Sequence, residues 1–357
     1  MSAQPREHPG AAPSDRLDQA MLLCAGLGLR MRPLTASRAK PSLPLMNHPL
    51  VLHCLDRLEA GGVLRVAMNL HHAPATLEAT LTARPTSRQE LLLSREAEIL
   101  GTGGGVAAAL PRLDRTSPLL VMNGDSLSDA DPSALFAAHA VAAQSSGARA
   151  TLAVRPLRPG DRYTPVYVDD DGALCGIGSA GLKGEAHVFI GMHLLDPGLL
   201  DGRPVDRSWD LVHDLYMPML DRGERLGAHR HDGWWVEIGS PRLYLQGHLS
   251  LLGEPSFLRG LPPAAGTSIG DGASFAGPGC EGLAAAAVMR SALGAGCSLG
   301  EGCRVEGSLL GAGVRVGPRA VIRDSIVWDG SIVMEGAELS GLLVHEAAGL
   351  DGRMELA

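Results

Sequence analysis

The chain is nearly without lysine: among its 31 lysine and arginine residues, only Lys40 and Lys183 are lysine. Arginine is the default cation, so the two places that keep a compact point charge on a flexible stem are candidates for a specific role. Positive charge is not in excess either. With 39 acidic residues the formal net charge is -8, which leaves no electrostatic footprint for nucleic acid. No apolar run approaches the ~18 residues that a membrane span requires. Residues 1–18 lack the apolar stretch of a secretion signal and read as a loose tail on a cytoplasmic protein. The six cysteines include no C-x-x-C pair and no zinc spacing, which predicts reduced packing residues. What remains is a chain of 357 residues, 45% of them apolar, with the composition of a soluble globular protein and the length of two domains.

Over residues 19–252 short apolar runs alternate with amphipathic segments. Met21-Leu22-Leu23-Cys24-Ala25 is a buried-strand run that stops at Gly26. Residues 47–60 predict a helix with Asn47 as N-cap, Leu52, Leu55 and Leu58 on one face, and Gly61-Gly62 as its stop. Further strands are expected at 63–68, 91–93 and 119–122, and a helix at 74–83. Strands separated by helical segments imply a parallel sheet with helices on both faces. From 150 to 252 the pattern is mixed, with strands at 151–154, 166–168 and 186–195, a helix at 241–252, and a hairpin turn at Asp169-Asp170-Asp171-Gly172. The expected class is α/β, a Rossmann-like domain with a mixed, mainly parallel sheet. Residues 253–266, with three prolines, read as a linker.

Beyond the linker the signal changes kind. Apolar residues recur every six positions: Ile269 and Phe275, then Leu293, Leu299 and Val305. After a one-residue slip the register resumes at Leu310, Val316 and Ile322, and after a further slip at Val333 and Leu339. A period of six fits neither an amphipathic helix nor simple strand alternation. It predicts a left-handed β-helix of hexapeptide repeats over 267–345, with coils of about 18 residues and glycine at the corners. Cys297 and Cys303 would occupy equivalent positions on neighbouring edges. Residues 280–292 are degenerate, which predicts an irregular rung, and 346–357 read as a tail.

The first chemical motif runs Leu23-Cys24-Ala25-Gly26-Leu27-Gly28-Leu29-Arg30-Met31-Arg32-Pro33-Leu34-Thr35, with Lys40-Pro41 after it. A strand leads into a Gly-rich turn whose backbone N–H groups are free to face an anion, and cations follow at once. A dinucleotide fingerprint would want glycine at Met31, and a Walker A loop would want Gly-Lys-Ser/Thr; both are absent. The stretch resembles the signature of the sugar-1-phosphate nucleotidyltransferases, roughly G-x-G-T-R-[LM]-x-P-L-T followed by K-P. Gly26, Gly28, Arg30, Met31, Pro33, Leu34, Thr35, Lys40 and Pro41 match, while the family's Thr is Leu29 here.

Three more segments are similar to that family. Leu100-Gly101-Thr102-Gly103-Gly104 looks like its L-G-T-[AG]-G loop, which implies nucleotide contacts there and at Leu23, Ala25, Gly26 and Gly28. In Asn123-Gly124-Asp125 the acid stands at the carboxyl end of a buried strand, where α/β sheets bind ligands. A carboxylate there suits Mg²⁺, and the resemblance implies that Asp125 holds it. Trp234-Trp235-Val236-Glu237-Ile238-Gly239-Ser240-Pro241 looks like W-x-D-[IV]-G-[ST]-P, with Glu237 at the second metal carboxylate. Gly191, Tyr163 and Lys183 fall where the resemblance implies sugar-phosphate contacts. The pairs His71-His72 and His229/His231 lack spaced partners and read as loop residues, and the Asp169–Asp171 cluster reads as a hairpin tip.

The implied reaction converts an NTP and a sugar 1-phosphate to an NDP-sugar and pyrophosphate, with Arg30 and Lys40 neutralising the triphosphate and Mg²⁺ as cofactor. The glycine loop and appended β-helix are most similar to those of mannose-1-phosphate guanylyltransferases, which implies GTP as the nucleotide. A glucose-1-phosphate uridylyl- or thymidylyltransferase is the enzyme alternative. Leu29 and Glu237 keep open a catalytically silent regulatory homologue, against which intact Arg30, Lys40 and Asp125 stand. An acyltransferase site in the β-helix would want histidine, and only His345 follows the linker. Self-association through the β-helix is the expected assembly.

Overall fold

The computed structural model describes residues 16–84, 87–178, 184–270, 272–345 and 353–356. In chain order its helices are α1 (Leu50–Ala60), α2 (Pro74–Thr82), α3 (Gly101–Ala109), α4 (Pro132–Ser146), α5 (Met217–Asp221), α6 (Pro241–Leu251) and α7 (Pro255–Gly260). Among the described residues no helix is long and apolar enough to cross a membrane. The contacts form two compact units that do not follow the linear order of the chain. The first takes the chain up to Gly26, Cys54–His71 and Arg84–Trp235. The second takes Leu27–His53, His72–Ala83 and the chain from Val236.

The first unit is built on one sheet of β1 (Gln19–Leu23), β2 (Arg65–Leu70), β3 (Glu90–Arg95), β4 (Leu119–Asn123), β5 (Ala150–Pro156), β6 (Pro165–Val168), β7 (Ala173–Ile177), β8 (Glu185–Leu195) and β9 (Leu226–Arg230). Their order is β3-β2-β1-β4-β8-β5-β9-β7-β6. The run β3-β2-β1-β4 is parallel. Strand β8 pairs antiparallel with β4, β5 and β6, and β7 pairs antiparallel with β6 and β9. The sheet is thus mixed rather than mainly parallel. For β6 and β7 the cause is local: a tight hairpin can join only antiparallel strands. Asp169 Oδ1 accepts the N–H groups of Asp171 and Ala173, and Gly172 takes φ +77°, closing the expected turn between β6 and β7.

Ala20, Met21 and Leu22 of β1 are all buried, as a strand covered on both faces requires. Met21, Val121, Leu152 and Val154 form one core with Val106 of α3. Asp131 caps α4 by accepting the Ser133 N–H, and Gly147 ends that helix at φ +70°.

In the second unit α1 begins at Leu50, so Asn47 is not its N-cap. Pro49 pushes the residue before it toward extended backbone, which keeps the helix from starting earlier. Met46 and Asn47 instead take left-handed backbone, φ 50° and 59°, between the short strands Pro44–Leu45 and His48–Pro49. The expected linker holds α7, whose Phe257 is buried against the His53 ring at 5.3 Å. Proline at the first helical position favours that start, and an aromatic with a ring to cover gives the helix its buried face. The expected tail also contributes a strand, Arg353–Glu355, antiparallel to Leu342–Val344.

From Ser274 onward parallel strands stack as a β-helix-like solenoid. Leu293 lies beside Leu310 and Leu310 beside Val327; Val305 lies beside Ile322 and Ile322 beside Leu339. Each coil advances 17 residues, not 18. This accounts for the slips, since every coil has two six-residue edges and one of five. Val327 and Val344, at the two later shortened edges as Leu310 is at the first, complete the inward series. Such burial contributes about 1.5–3 kcal/mol per large aliphatic side chain. Cys297 and Cys303 are buried in the same core, and the degenerate stretch holds a short 3₁₀ turn at Leu283–Ala285. Ser274, Ser291, Ser308 and Ser325 form a ladder in which each hydroxyl accepts a backbone N–H 17 residues on.

Candidate active site

In the first unit the carboxyl ends of β1 and β4 lie side by side, Leu23 opposite Asn123. The Gly124 N–H donates to Leu23 O at 2.9 Å, and a Cβ at Gly124 would fall 2.8 Å from that oxygen and 2.9 Å from Cys24 Sγ. Glycine is required for this approach, which carries Asp125 to the start of the first Gly-rich turn. A Cβ at Gly26 would meet nothing within 4 Å, so this turn opens onto free space beyond Ala25. Burial, then the charges of Cys54 and Asp125, push the Cys24 thiol well up. Burial, with Asp125 next, pushes Cys54 up to about 12. Both thiols stay protonated at neutral pH and are packing groups rather than nucleophiles.

Two residues that the motifs do not mark tie this turn to the second glycine loop. Asn69 Oδ1 accepts the Cys24 N–H at 2.8 Å, and its amide donates to Glu96 Oε1 at 2.8 Å. Glu96 Oε2 then accepts the Leu100 N–H at 3.0 Å. A Cβ at Gly105 would come within 2.6 Å of the Asn69 amide nitrogen, so this glycine makes room for the bridge. The available signal was an Asn near the carboxyl end of the apolar strand run Val66-Ala67-Met68, as Asn123 stands at the end of 119–122 beside the Asp125 that the sequence singled out.

The loop at 101–104 is closely covered by residues 208–211. Gly103 N–H donates to Trp209 O, and the Thr102 hydroxyl donates to Asp210 Oδ2 while accepting the Leu211 N–H. A Cβ at Gly103 would meet the Trp209 ring at 2.2 Å, and one at Gly104 the Arg207 carbonyl at 2.8 Å. Gly101 needs its left-handed φ of +71°. These glycines therefore serve helix packing on that side, whatever they offer on the other.

Of the expected sugar-side residues, Tyr163 and the Gly191 strand are joined through Trp235. The indole packs edge-on against Tyr163 at 5.1 Å and donates to Ile190 O at 3.0 Å. Gly191, at φ +82°, leaves room for the Asn123 amide, which a Cβ would meet at 3.0 Å. Arg155 stacks over Trp235 at 4.9 Å and pairs with Asp161, whose carboxyl it holds below the usual range. Lys183 lies outside the described residues.

In the second unit Gly28 takes φ +62°, and its carbonyl accepts the Thr35 hydroxyl at 2.7 Å. This closes the signature into a compact turn that exposes Leu29 and Arg30. Arg30 reaches to 4.0 Å from Glu237 Oε1, with 74% of its side chain exposed against 19% for Glu237. An exposed contact that long is worth well under ~1 kcal/mol, so the guanidinium can turn to a phosphate at little cost. Gly239 leaves space for Glu237: a Cβ there would lie 2.9 Å from Oε1. Lys40 is buried in a short 3₁₀ turn entered through Ala39, whose N–H donates to Thr76 Oγ1. The structure thus brings Arg30 and Glu237 together in one unit, and Asp125 near Cys24 and Cys54 in the other.

Among the described residues no group of three or more His, Cys, Asp and Glu could hold a metal ion. Of the four histidines at 71, 72, 229 and 231, three are held by protein partners, His71 by Glu96 O, His72 by Thr35 O and His231 by Asp129, while His229 lies in β9.

The profile described as "Nucleotidyl transferase" matches residues 19–254, and the chain belongs to that family. It is an enzyme of the nucleotidyltransferase class, and the reaction of the family forms an NDP-sugar from a sugar 1-phosphate. The chain is 30% identical over 281 residues to "Probable mannose-1-phosphate guanylyltransferase 2" of Arabidopsis thaliana, covering 73% of this chain and 74% of that one. It is 28% identical over 336 residues to "Mannose-1-phosphate guanylyltransferase 1" of the same plant, covering 91% and 90%. Among solved structures, HddC from Yersinia pseudotuberculosis superposes with a TM-score of 0.54 at 21% identity, covering 66% of this chain and all of that one, a likeness of fold.

Proposed function

We propose that the protein transfers the guanylyl group of GTP to mannose 1-phosphate, releasing pyrophosphate and GDP-mannose. The observation that carries the reading is the pairing of Arg30 with Glu237, a loosely held cation beside a carboxylate, on a turn closed by the Gly28–Thr35 hydrogen bond. The relatives named mannose-1-phosphate guanylyltransferase support the choice of substrates, which their identity of 28–30% leaves as a proposal.

In this reading Arg30 and Lys40 balance the charge of the triphosphate, and the open side of Gly26 admits a phosphate close to the backbone. Asp125 and Glu237 would hold Mg²⁺. A carboxylate is the donor expected for an ion that takes its other ligands from phosphate and water. The ion would lend charge to the reacting phosphates. Tyr163, Gly191 and Lys183 would face the sugar phosphate, and Gly101, Thr102, Gly103 and Gly104 the nucleotide. The solenoid is, in the same reading, a left-handed β-helix of hexapeptide type that follows a catalytic region at 19–252.

Pyrophosphate release tests this across a grid of common NTPs and sugar 1-phosphates with Mg²⁺. The expected result is release from GTP with mannose 1-phosphate, reduced at least about 100-fold in Asp125→Ala. Preference for another pair would reassign the substrates. Release that survives Asp125→Ala unchanged would remove the aspartate from the site.

A further inference from the structure

The segment that carries Arg30 and Lys40 continues into residues 38–49, and the solenoid grips that stretch with side chains that its repeat does not need. Arg38 donates to Asp329 Oδ2 at 3.2 Å, and its guanidinium carbon stands 5.6 Å from the centre of the Trp328 ring. Asp329 is itself fixed, because its other oxygen accepts the Ala312 N–H of the preceding coil at 2.9 Å. Trp328 departs from the repeat. The equivalent positions on the three earlier coils are Gly277, Gly294 and Gly311, where a Cβ would meet backbone of the next coil at 2.4–2.6 Å. At this corner alone among the four a large side chain replaces glycine, and it is spent on Arg38 and on the edge of Tyr244. Tyr244 in turn donates its hydroxyl to Pro44 O. His248 Nε2 accepts the Met46 N–H at 3.3 Å, and the Asn47 amide reaches Ala265 O and Leu293 O.

We infer that Arg38 is a positioning residue: clamped by Trp328 and Asp329, it holds the neighbouring Lys40 and the Arg30 turn in the geometry that meets the triphosphate. The inference rests on the function proposed above. It makes this coil of the solenoid part of nucleotide handling. A half-exposed ion pair adds little to stability, so stability alone does not account for the arrangement. Placement does, since a shift of about 1 Å in a substrate-binding group costs up to about 100-fold in rate.

The test measures kcat and KM for each substrate in Arg38→Ala, Arg38→Lys, Trp328→Leu and Asp329→Asn, with melting temperatures and amide hydrogen exchange over 33–43. Arg38→Ala is expected to lower kcat/KM for the NTP by roughly 10- to 100-fold while KM for the sugar 1-phosphate stays within about twofold. Arg38→Lys should recover part of the loss, because lysine keeps the charge without the planar fork. Arg38→Ala combined with Asp329→Asn should be no worse than Arg38→Ala alone. An NTP kcat/KM within about twofold of the parent, or losses that simply follow melting temperature for both substrates, would overturn the inference. If the parent turns over no substrate pair, the proposed function fails separately. Faster exchange at Leu34, Ala36 and Leu43 in Arg38→Ala would then still support the clamp, and unchanged exchange would sink it.

Discussion

In α3 Gly103 and Gly104 lie under Trp209, and a Cβ at Gly103 would come within 2.2 Å of its ring. At the solenoid corners a Cβ at Gly294 or Gly317 would come within 2.4 Å of a backbone nitrogen of the next coil. The two regions use the same residue against different obstacles. At Gly103 the obstacle is one side chain, which can turn or be replaced. In the second it is main chain locked into a ladder repeated from coil to coil, which has nowhere to go. A helix glycine also costs about 1 kcal/mol relative to alanine, so α3 tolerates a poor helix former to seat an indole. The corner glycines mark close contact between coils.

The largest effect should come from the rigid obstacle. Gly294→Ala is expected to destabilise the protein by about 3 kcal/mol or more, with no single second-site change relieving it. Urea unfolding measures this, and a loss under about 1 kcal/mol would show that the coils can part. Gly103→Ala should cost about 2 kcal/mol, and Trp209→Ala should absorb much of that cost in a double-mutant cycle. Additive losses in that cycle would mean that the glycine is needed for something other than the indole.

A smaller contrast sharpens the same point about partners. Each unit buries a neutral histidine. Among the described residues neither ring nitrogen of His193 has a hydrogen-bond partner; the ring sits between Phe189 and Tyr216, and burial pushes it down to about 3. His248 is bonded at both nitrogens: Nε2 accepts from Met46, so Nδ1 carries the proton that it gives to Tyr244 O. Burial pushes it down to about 4. In the unfolded chain both take up a proton near pH 6.5, so acid favours unfolding. Stability is full above that pH and is lost as the pH falls toward 4 and 3. His193→Phe should remove about 1–2 kcal/mol of the loss between roughly pH 7 and pH 5 and cost nothing at neutral pH. His248→Phe should instead cost about 1–2 kcal/mol at neutral pH by stranding the Met46 N–H and the Tyr244 carbonyl. Thermal unfolding at both pH values separates the two, and equal behaviour would deny that partners distinguish them.

The parts legible along the chain were those whose cause is local. The strand ending at Leu23, the Asp169–Gly172 turn, the N–G–D at the end of β4 and the inward residues of the solenoid follow from neighbours a few positions apart. So do the Gly28 turn and its threonine. The five-residue edge of each coil was visible only as slips, because its inward Val327 and Val344 fall out of a strict six. Asn47 looked like a helix cap by type and place. Its real partners, Ala265 and Leu293, are more than 200 residues away.

The sequence by itself determined the class of protein, the alternation of strands and helices from Gln19 to Asn123 and the inward spacing of the solenoid, because side-chain type and short spacing carry that information. Only the tertiary structure decided that Trp209 roofs the glycine helix and that Asn69 and Glu96 bridge the two glycine turns. It also decided that the coil bearing Trp328 and Asp329 grips Arg38. Those choices depend on which distant surfaces meet, and a meeting across hundreds of residues leaves no period or motif in the chain to announce it.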